Sequence, residues 1–278
     1  ISIKIFYHTE GKMIIVGERI NATRKQIRSA IEKKDKTFLL KEAENQIKAG
    51  SDFLDLNAGT GTGREAEDLA WLIDLVQSAY PDVKLALDSS NTDVLARCLP
   101  MVKNRPVMLN SINAEKKKLE AFLPLLRRFP DVYIIALTMD DSGIPSSWQK
   151  RVEIADTLYK KLTETGIKEE NIFYDGLVQP VGTDTEAFIN YLRSLKSIKA
   201  SHPATKSICG LSNVSFGLPR RKLINRYALA LAMYEGLEAV IIDPVEPGVI
   251  ETICAVGVLT GKDQFCLNYI SNFREGKI

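Results

Sequence analysis

The chain has 278 residues, 45% hydrophobic and 26% charged, with a formal net charge of +2 at pH 7. That is the composition of a globular protein with a sizeable core, and the near-neutral balance removes the electrostatic case for nucleic acid or an anionic membrane. No apolar run approaches the roughly 20 residues of a membrane span, and Cys98, Cys209, Cys254 and Cys266 show no CxxC spacing, which reads as packed, reduced thiols of a cytoplasmic protein.

Residues 1–12, ISIKIFYHTEGK, lack the basic start, apolar centre and cleavage site of a signal peptide. Because MIIVGERIN begins a strand abruptly at Met13, residues 1–12 read as an extra N-terminal segment. It is either foreign to the fold or an extension covering its floor. From there, short apolar runs recur, and each ends in Asn, Asp or Glu. IIVGE ends at Glu18 and Asn21, FLDLN at Asn57, LALD at Asp88 and VMLN at Asn110. VYIIALTMD ends at Asp140, IFYD at Asp175, SICGLSN at Asn213 and AVIID at Asp243.

The segments between these runs have helical periodicity. Phe38, Leu39, Ala43 and Ile47 form one stripe, and Leu69, Leu72, Ile73 and Val76 another. Ala155, Leu158, Tyr159 and Leu162 form a third, and Ile224, Ala228, Leu231 and Ala232 a fourth. Gly50, Gly166 and Gly236 each stand where a helix should stop and a strand begin, as a left-handed C-cap would. The charge runs KKDK and EKKKLE read as solvated helix surface.

Strand, polar loop, helix, glycine, strand is a repeating βα unit, which predicts a parallel sheet. Eight repeats in about 250 residues, with no linker, predict a single-domain α/β (β/α)8 TIM barrel over residues 13–278. A fully buried strand stays apolar until it reaches water. The polar ends should therefore ring one mouth, covered by the Gly-, Pro- and Ser-bearing loops 57–68, 139–151 and 213–225. Capping is the competing explanation for any single Asn or Asp, and Asn91 and Asp93 fit it. In LNSIN, Asn110 should end the strand and Asn113 lie in the loop. GTGREA (61–66) fits a dinucleotide fingerprint, but Asp55 and Asn57 in the preceding run and a complete βα unit before it disfavour that fold.

His8 lies in the extra segment, and His202 precedes the seventh run, at the far end of the barrel from the mouth. No Cys or Lys stands at a strand end. Histidine bases, thiolate nucleophiles and Schiff-base chemistry are therefore disfavoured, and the alternation of carboxylates with amides disfavours a metal. What remains is recognition of a flat, polar heterocycle, because a carboxylate accepts from an amino-pyrimidine N–H and an amide both donates and accepts.

In this order, MIIVGERIN, LDLNAG, LALDSSN, MLNSIN, FYDGLVQP, GLSNVSFGLPRRKLINR and the Asp243 run resemble the pterin-binding barrel of methyltetrahydrofolate:corrinoid methyltransferases. These are stand-alone enzymes of anaerobic bacteria, similar to the folate module of cobalamin-dependent methionine synthase. The resemblance implies that Asp88, Asn110 and Asp175 bond the pterin amino-pyrimidine edge and that Asn213 sits beside the methyl-bearing nitrogen. Glu18 and Arg221 match positions at the folate site. Asn21, Asn57, Asn113 and Asp243 are possible further mouth residues.

The implied substrates are methyltetrahydrofolate or tetrahydrofolate and a corrinoid carried by a partner protein, docked over the mouth near Phe216 and Leu218. A homodimer is implied as well. Cobalt in the plus-one state needs no activating base, so the protein's task is to position it and to stabilise charge on the departing nitrogen. Asn213 would do this, with solvent supplying the proton. Dihydropteroate synthases share the pocket but carry a lysine at the seventh strand end and an STRPG loop, where this chain has GLSNVS and NAGTGTG. A non-catalytic folate-binding module is the remaining alternative.

Overall fold

The computed structural model describes residues 12–278. Of the extra N-terminal segment expected at 1–12, residues 1–11 lie outside the described residues. The first half of the chain runs β1 (Ile14–Asn21), α1 (Lys25–Glu32), α2 (Lys36–Lys48), β2 (Phe53–Asn57), α3 (Glu65–Ala79), β3 (Lys84–Asp88), α4 (Thr92–Cys98), β4 (Met108–Asn113) and α5 (Lys116–Arg128). The second half runs β5 (Tyr133–Leu137), α6 (Trp148–Thr163), β6 (Ile172–Asp175), α7 (Ala187–Ser201), β7 (Lys206–Gly210), α8 (Arg221–Tyr234), β8 (Ala239–Ile242), α9 (Val249–Leu259) and α10 (Leu267–Arg274). The strands pair in parallel and in sequence, and β1 pairs with β8, so the sheet closes into a barrel. This is the (β/α)8 fold the alternating pattern predicts. GTGREA is a βα loop and helix start within it, not a Rossmann turn.

Two hydrophobic layers hold the fold. Outward strand residues such as Leu54, Leu56, Leu85 and Leu87 pack against the apolar stripes of the helices, with Leu69, Leu72, Ile73 and Val76 fully buried. Inside the barrel, Val16, Phe53, Ala86, Met108, Ile135, Phe173, Ile208, Ala239 and Ile241 form a plug. Each Val, Leu, Ile, Phe or Met among them contributes about 1.5–3 kcal/mol by leaving water. Gly50, Gly166 and Gly236 all have positive φ at the helix-to-strand joints, as expected.

The structure corrects four local expectations. β4 continues through Asn113, with a register shift between Leu109 and Ile112, so Asn113 ends the strand rather than lying in a loop. β5 stops at Leu137, three residues before Asp140. β7 stops at Gly210, and Asn213 lies in a 3-10 turn over Leu211–Ser215. In α8, Leu231 is 52% exposed, because the buried face turns on Ala228, Leu229 and Ala232.

Candidate active site

Side chains on a strand alternate faces, so a residue two places after a plug residue lies one layer higher on the same inward face. Applied to the eight strands, that step leads from Val16 to Glu18, Phe53 to Asp55, Ala86 to Asp88 and Met108 to Asn110. It also leads from Ile135 to Leu137, Phe173 to Asp175, Ile208 to Gly210 and Ile241 to Asp243. The interior thus passes from an apolar plug to a polar tier at the C-terminal end of the strands. Six positions are polar, while β5 supplies Leu137 and β7 supplies Gly210. A side chain at Gly210 would meet nothing within 4 Å, so the tier is open on the β7 side.

The β1–β4 arc is one hydrogen-bonded cluster. Asp88 accepts from Asn57 Nδ2 at 3.0 Å and from Asn21 Nδ2 at 3.3 Å. Both amide oxygens are already used: Asn57 Oδ1 accepts the Gly59 N–H, and Asn21 Oδ1 accepts the Thr23 N–H and hydroxyl. Turn-making by the oxygen therefore aims the NH2 group at Asp88. Capping and ring-building, opposed in the sequence reading, are two halves of the same side chain. Asn110 Nδ2 donates to Asp55 at 3.3 Å. Asp55 is 2% exposed, and its carboxyl is held well above the usual range by burial and by neighbouring Asp88. Asp88 is also raised, chiefly by burial.

Glu18 completes this arc. Burial pushes its carboxyl up to about 7, against a hydrogen bond from Ser212 Oγ at 3.3 Å. On the far side, Asp175 accepts the Leu177 N–H at 2.7 Å, with Leu177 at φ 58. Burial raises Asp175 to about 6, opposed by backbone donors and by Arg151. Arg151, itself buried, donates to the carbonyls of Gly176, Leu177 and Pro145 and so fixes the loop that carries this turn.

Not every predicted mouth residue joins this cluster. Asp243 forms ion pairs with Arg19 at 2.8 Å and Arg24 at 3.6 Å and accepts the Val245 N–H. Asp140 closes a turn by accepting from the Ser142 N–H and hydroxyl. Asn113 makes a turn ahead of α5 by accepting the Glu115 N–H and donating to its carboxylate. Arg221 donates to Ser215 Oγ at 3.0 Å and to the Ser212 carbonyl at 2.6 Å, which staples the 3-10 turn. Asn213, exposed on that turn, has no side-chain hydrogen bond among the described residues. Its amide is free to meet a ligand, on the turn that follows Gly210. The sequence reading passed over Asp55, Ser212 and Arg151. The inward parity of Asp55 with Asn57 was the available signal for the first; the other two depend on contacts between elements distant in sequence.

A tier of four carboxyl groups with raised pKa values suits a neutral, N–H-rich heterocycle, which can donate to them without bringing a full charge. Comparison with known proteins agrees. The profile of pterin binding enzymes matches residues 17–243. The methylcorrinoid:tetrahydrofolate methyltransferase of Eubacterium limosum is 34% identical over 267 residues, covering 96% of this chain and 98% of that protein. The methionine synthase of Mycobacterium tuberculosis is 29% identical over 247 residues, which are 84% of this chain but 20% of that longer enzyme. Among solved structures, Burkholderia cenocepacia dihydropteroate synthase superposes with a TM-score of 0.65 at 18% identity, covering 91% of this chain and 93% of that one. At that identity the likeness concerns the fold alone. The tier, its flanking turn and the near full-length similarity together show that the chain belongs to the pterin-binding enzyme family.

Proposed function

We propose that the protein is a methyltransferase that moves a methyl group between methyltetrahydrofolate and the cobalt(I) of a corrinoid carried by a partner protein. The observation that carries this reading is the full-length similarity to a methylcorrinoid:tetrahydrofolate methyltransferase. The free Asn213 amide, on the turn that follows β7, supports it. In this reading Asp88, Asn110 and Asp175 receive and donate hydrogen bonds at the amino-pyrimidine edge. Asp55 holds Asn110 from beneath, and Asn21 and Asn57 orient Asp88. Asn213 bonds the methyl-bearing nitrogen and stabilises the charge that changes there during transfer. Arg221 acts by fixing the turn that presents Asn213, rather than as a first ligand contact.

Cobalt in the plus-one state is nucleophilic without help, so no residue need activate it. The corrinoid approaches over the loops 57–68, 139–151 and 213–225. Phe216, 64% exposed, marks that rim and Leu218 lies beside it. Tyr227, Leu231 and Tyr234 expose one apolar face of α8, which fits the contact surface of a homodimer. No helix among the described residues is long and apolar enough to cross a membrane. We assign the protein to the cytoplasm of an anaerobic metabolism, where cobalt(I) survives.

The test is spectral. Mixed anaerobically with methyltetrahydrofolate and reduced cob(I)alamin, the protein should convert the cob(I) absorbance to that of methylcobalamin at a protein-dependent rate. Condensation of a pterin pyrophosphate with p-aminobenzoate would instead identify a dihydropteroate synthase. Tight folate binding with no transfer to free or protein-bound corrinoid would identify a binding module.

A further inference from the structure

Methyl transfer from a tertiary amine leaves an electron pair on nitrogen, and that nitrogen needs a proton. Of the four raised carboxyls of the mouth, Glu18 is the one whose side chain meets a side chain of the turn that carries Asn213. Glu18 lies on the inward face of β1, and its Oε1 lies 3.3 Å from Ser212 Oγ on the turn that carries Asn213. Unlike Asp55, Glu18 is only half-buried and can be reloaded from solvent.

No arginine or lysine forms an ion pair with Glu18 among the described residues. Arg19, next in the chain, pairs with Glu42 at 2.6 Å and Asp243 at 2.8 Å, and Arg24 reaches Asp243 at 3.6 Å. The charged groups facing Glu18 are Asp55 from β2, Asp243 and Glu246 from beyond β8, and Arg24 from beyond β1. Burial is the main reason its carboxyl stands at about 7, opposed by the Ser212 hydrogen bond and by Arg24 and aided by Asp243 and Glu246, so Glu18 exchanges its proton near neutral pH.

We infer that Glu18 is the proton donor of the transfer, acting through the Ser212 hydroxyl on the nitrogen that Asn213 holds. The inference rests on the proposed function. In the folate-to-cobalt direction, the N–CH3 bond breaks and its electron pair stays on nitrogen. The Co–C bond forms from the cobalt(I) electron pair. Nitrogen takes the Ser212 proton, Ser212 takes the Glu18 proton, and solvent restores the carboxyl. In the reverse direction the tetrahydrofolate N–H proton returns along the same path to the Glu18 carboxylate, and cobalt recovers its pair. Solvent remains the ultimate source, but it enters through Glu18 rather than directly at the nitrogen.

Glu18→Gln retains the size and the contact with Ser212 but has no titrating proton. Its kcat for methylation of cob(I)alamin should fall by about 100-fold or more, the usual scale of general acid catalysis. The methyltetrahydrofolate Kd, read by calorimetry, should change by less than about threefold, because a transition-state role leaves ground-state binding alone. Wild-type kcat should decline as pH rises through about 7, and the variant should lose that limb. Ser212→Ala should also slow transfer, while infrared difference spectra still show the Glu18 carboxyl titrating; this decides the matter if Glu18→Gln does not fold. Wild-type transfer with an unchanged rate or pH limb in both variants overturns the relay alone. Loss confined to folate affinity makes Glu18 a binding contact and also overturns it. Absence of transfer by the wild-type protein with any corrinoid overturns the proposed function and the relay together.

Discussion

The β1–β4 arc of the mouth and the opposite arc formed by β5, β7 and β8 carry the same kinds of residue at the same stage of each βα unit. They use them differently. On the first arc, Asn21, Asn57 and Asn110 spend their NH2 groups on Asp88 and Asp55, and the carboxyls face the barrel axis. On the second, Asp140 closes a turn and Asp243 is bound by two arginines. Asn213 alone there leaves its amide free among the described residues. A polar residue after an apolar run is therefore an invitation, and strand length and parity decide whether it is accepted. β5 and β7 end three residues before Asp140 and Asn213, so those two belong to loops.

The sharpest test of this contrast compares Asn213 with its arc. Asn213→Ala should lower methyl transfer roughly a hundredfold, the scale of removing one charge-stabilising group. A fall smaller than threefold, measured in the cob(I)alamin assay, would remove Asn213 from the chemistry. Next in size, Asp88→Ala should weaken methyltetrahydrofolate binding by about 10- to 100-fold, equivalent to charged hydrogen bonds of about 1.5–3 kcal/mol. Calorimetry should show that loss in Kd, with kcat at saturation much less affected.

Asp243→Asn probes the opposite arc. It should cost about 1–2 kcal/mol of stability in chemical denaturation, because Arg19 and Arg24 lose a partly buried partner. Folate affinity should hardly move. A large loss of affinity at intact stability would place Asp243 in the pterin tier after all.

The raised carboxyls give a smaller effect with a definite sign. Glu18 binds its proton more tightly folded than unfolded, its value rising from 4.5 to about 7. The folded state therefore holds more protons between those values, and the ligand-free protein loses stability as pH rises through that window. The melting temperature should fall by a few degrees from pH 5 to 8, and Glu18→Gln should flatten the curve. The smallest effect belongs to Asp140→Ala, which removes an exposed turn contact and should cost under about 1 kcal/mol.

Much of this molecule was legible as a sequence. Continuous apolar runs with polar ends and period-3.6 stripes between them, repeated eight times with glycine stops, predicted the parallel barrel, because parallel strands must be covered by helices and eight βα units are the number that closes this fold. The Asx-terminated runs also located the mouth. Which polar residue enters the site was not legible. The shift in β4 that keeps Asn113 in the strand, and the early ends of β5 and β7, depend on pairing with neighbouring strands. So do the capture of Asp243 by Arg19, 224 positions away, and the meeting of Ser212, beyond β7, with Glu18 of β1. Local pattern fixes which face of a strand is apolar; only the closed tertiary structure fixes which charges meet, because their partners come from distant parts of the chain.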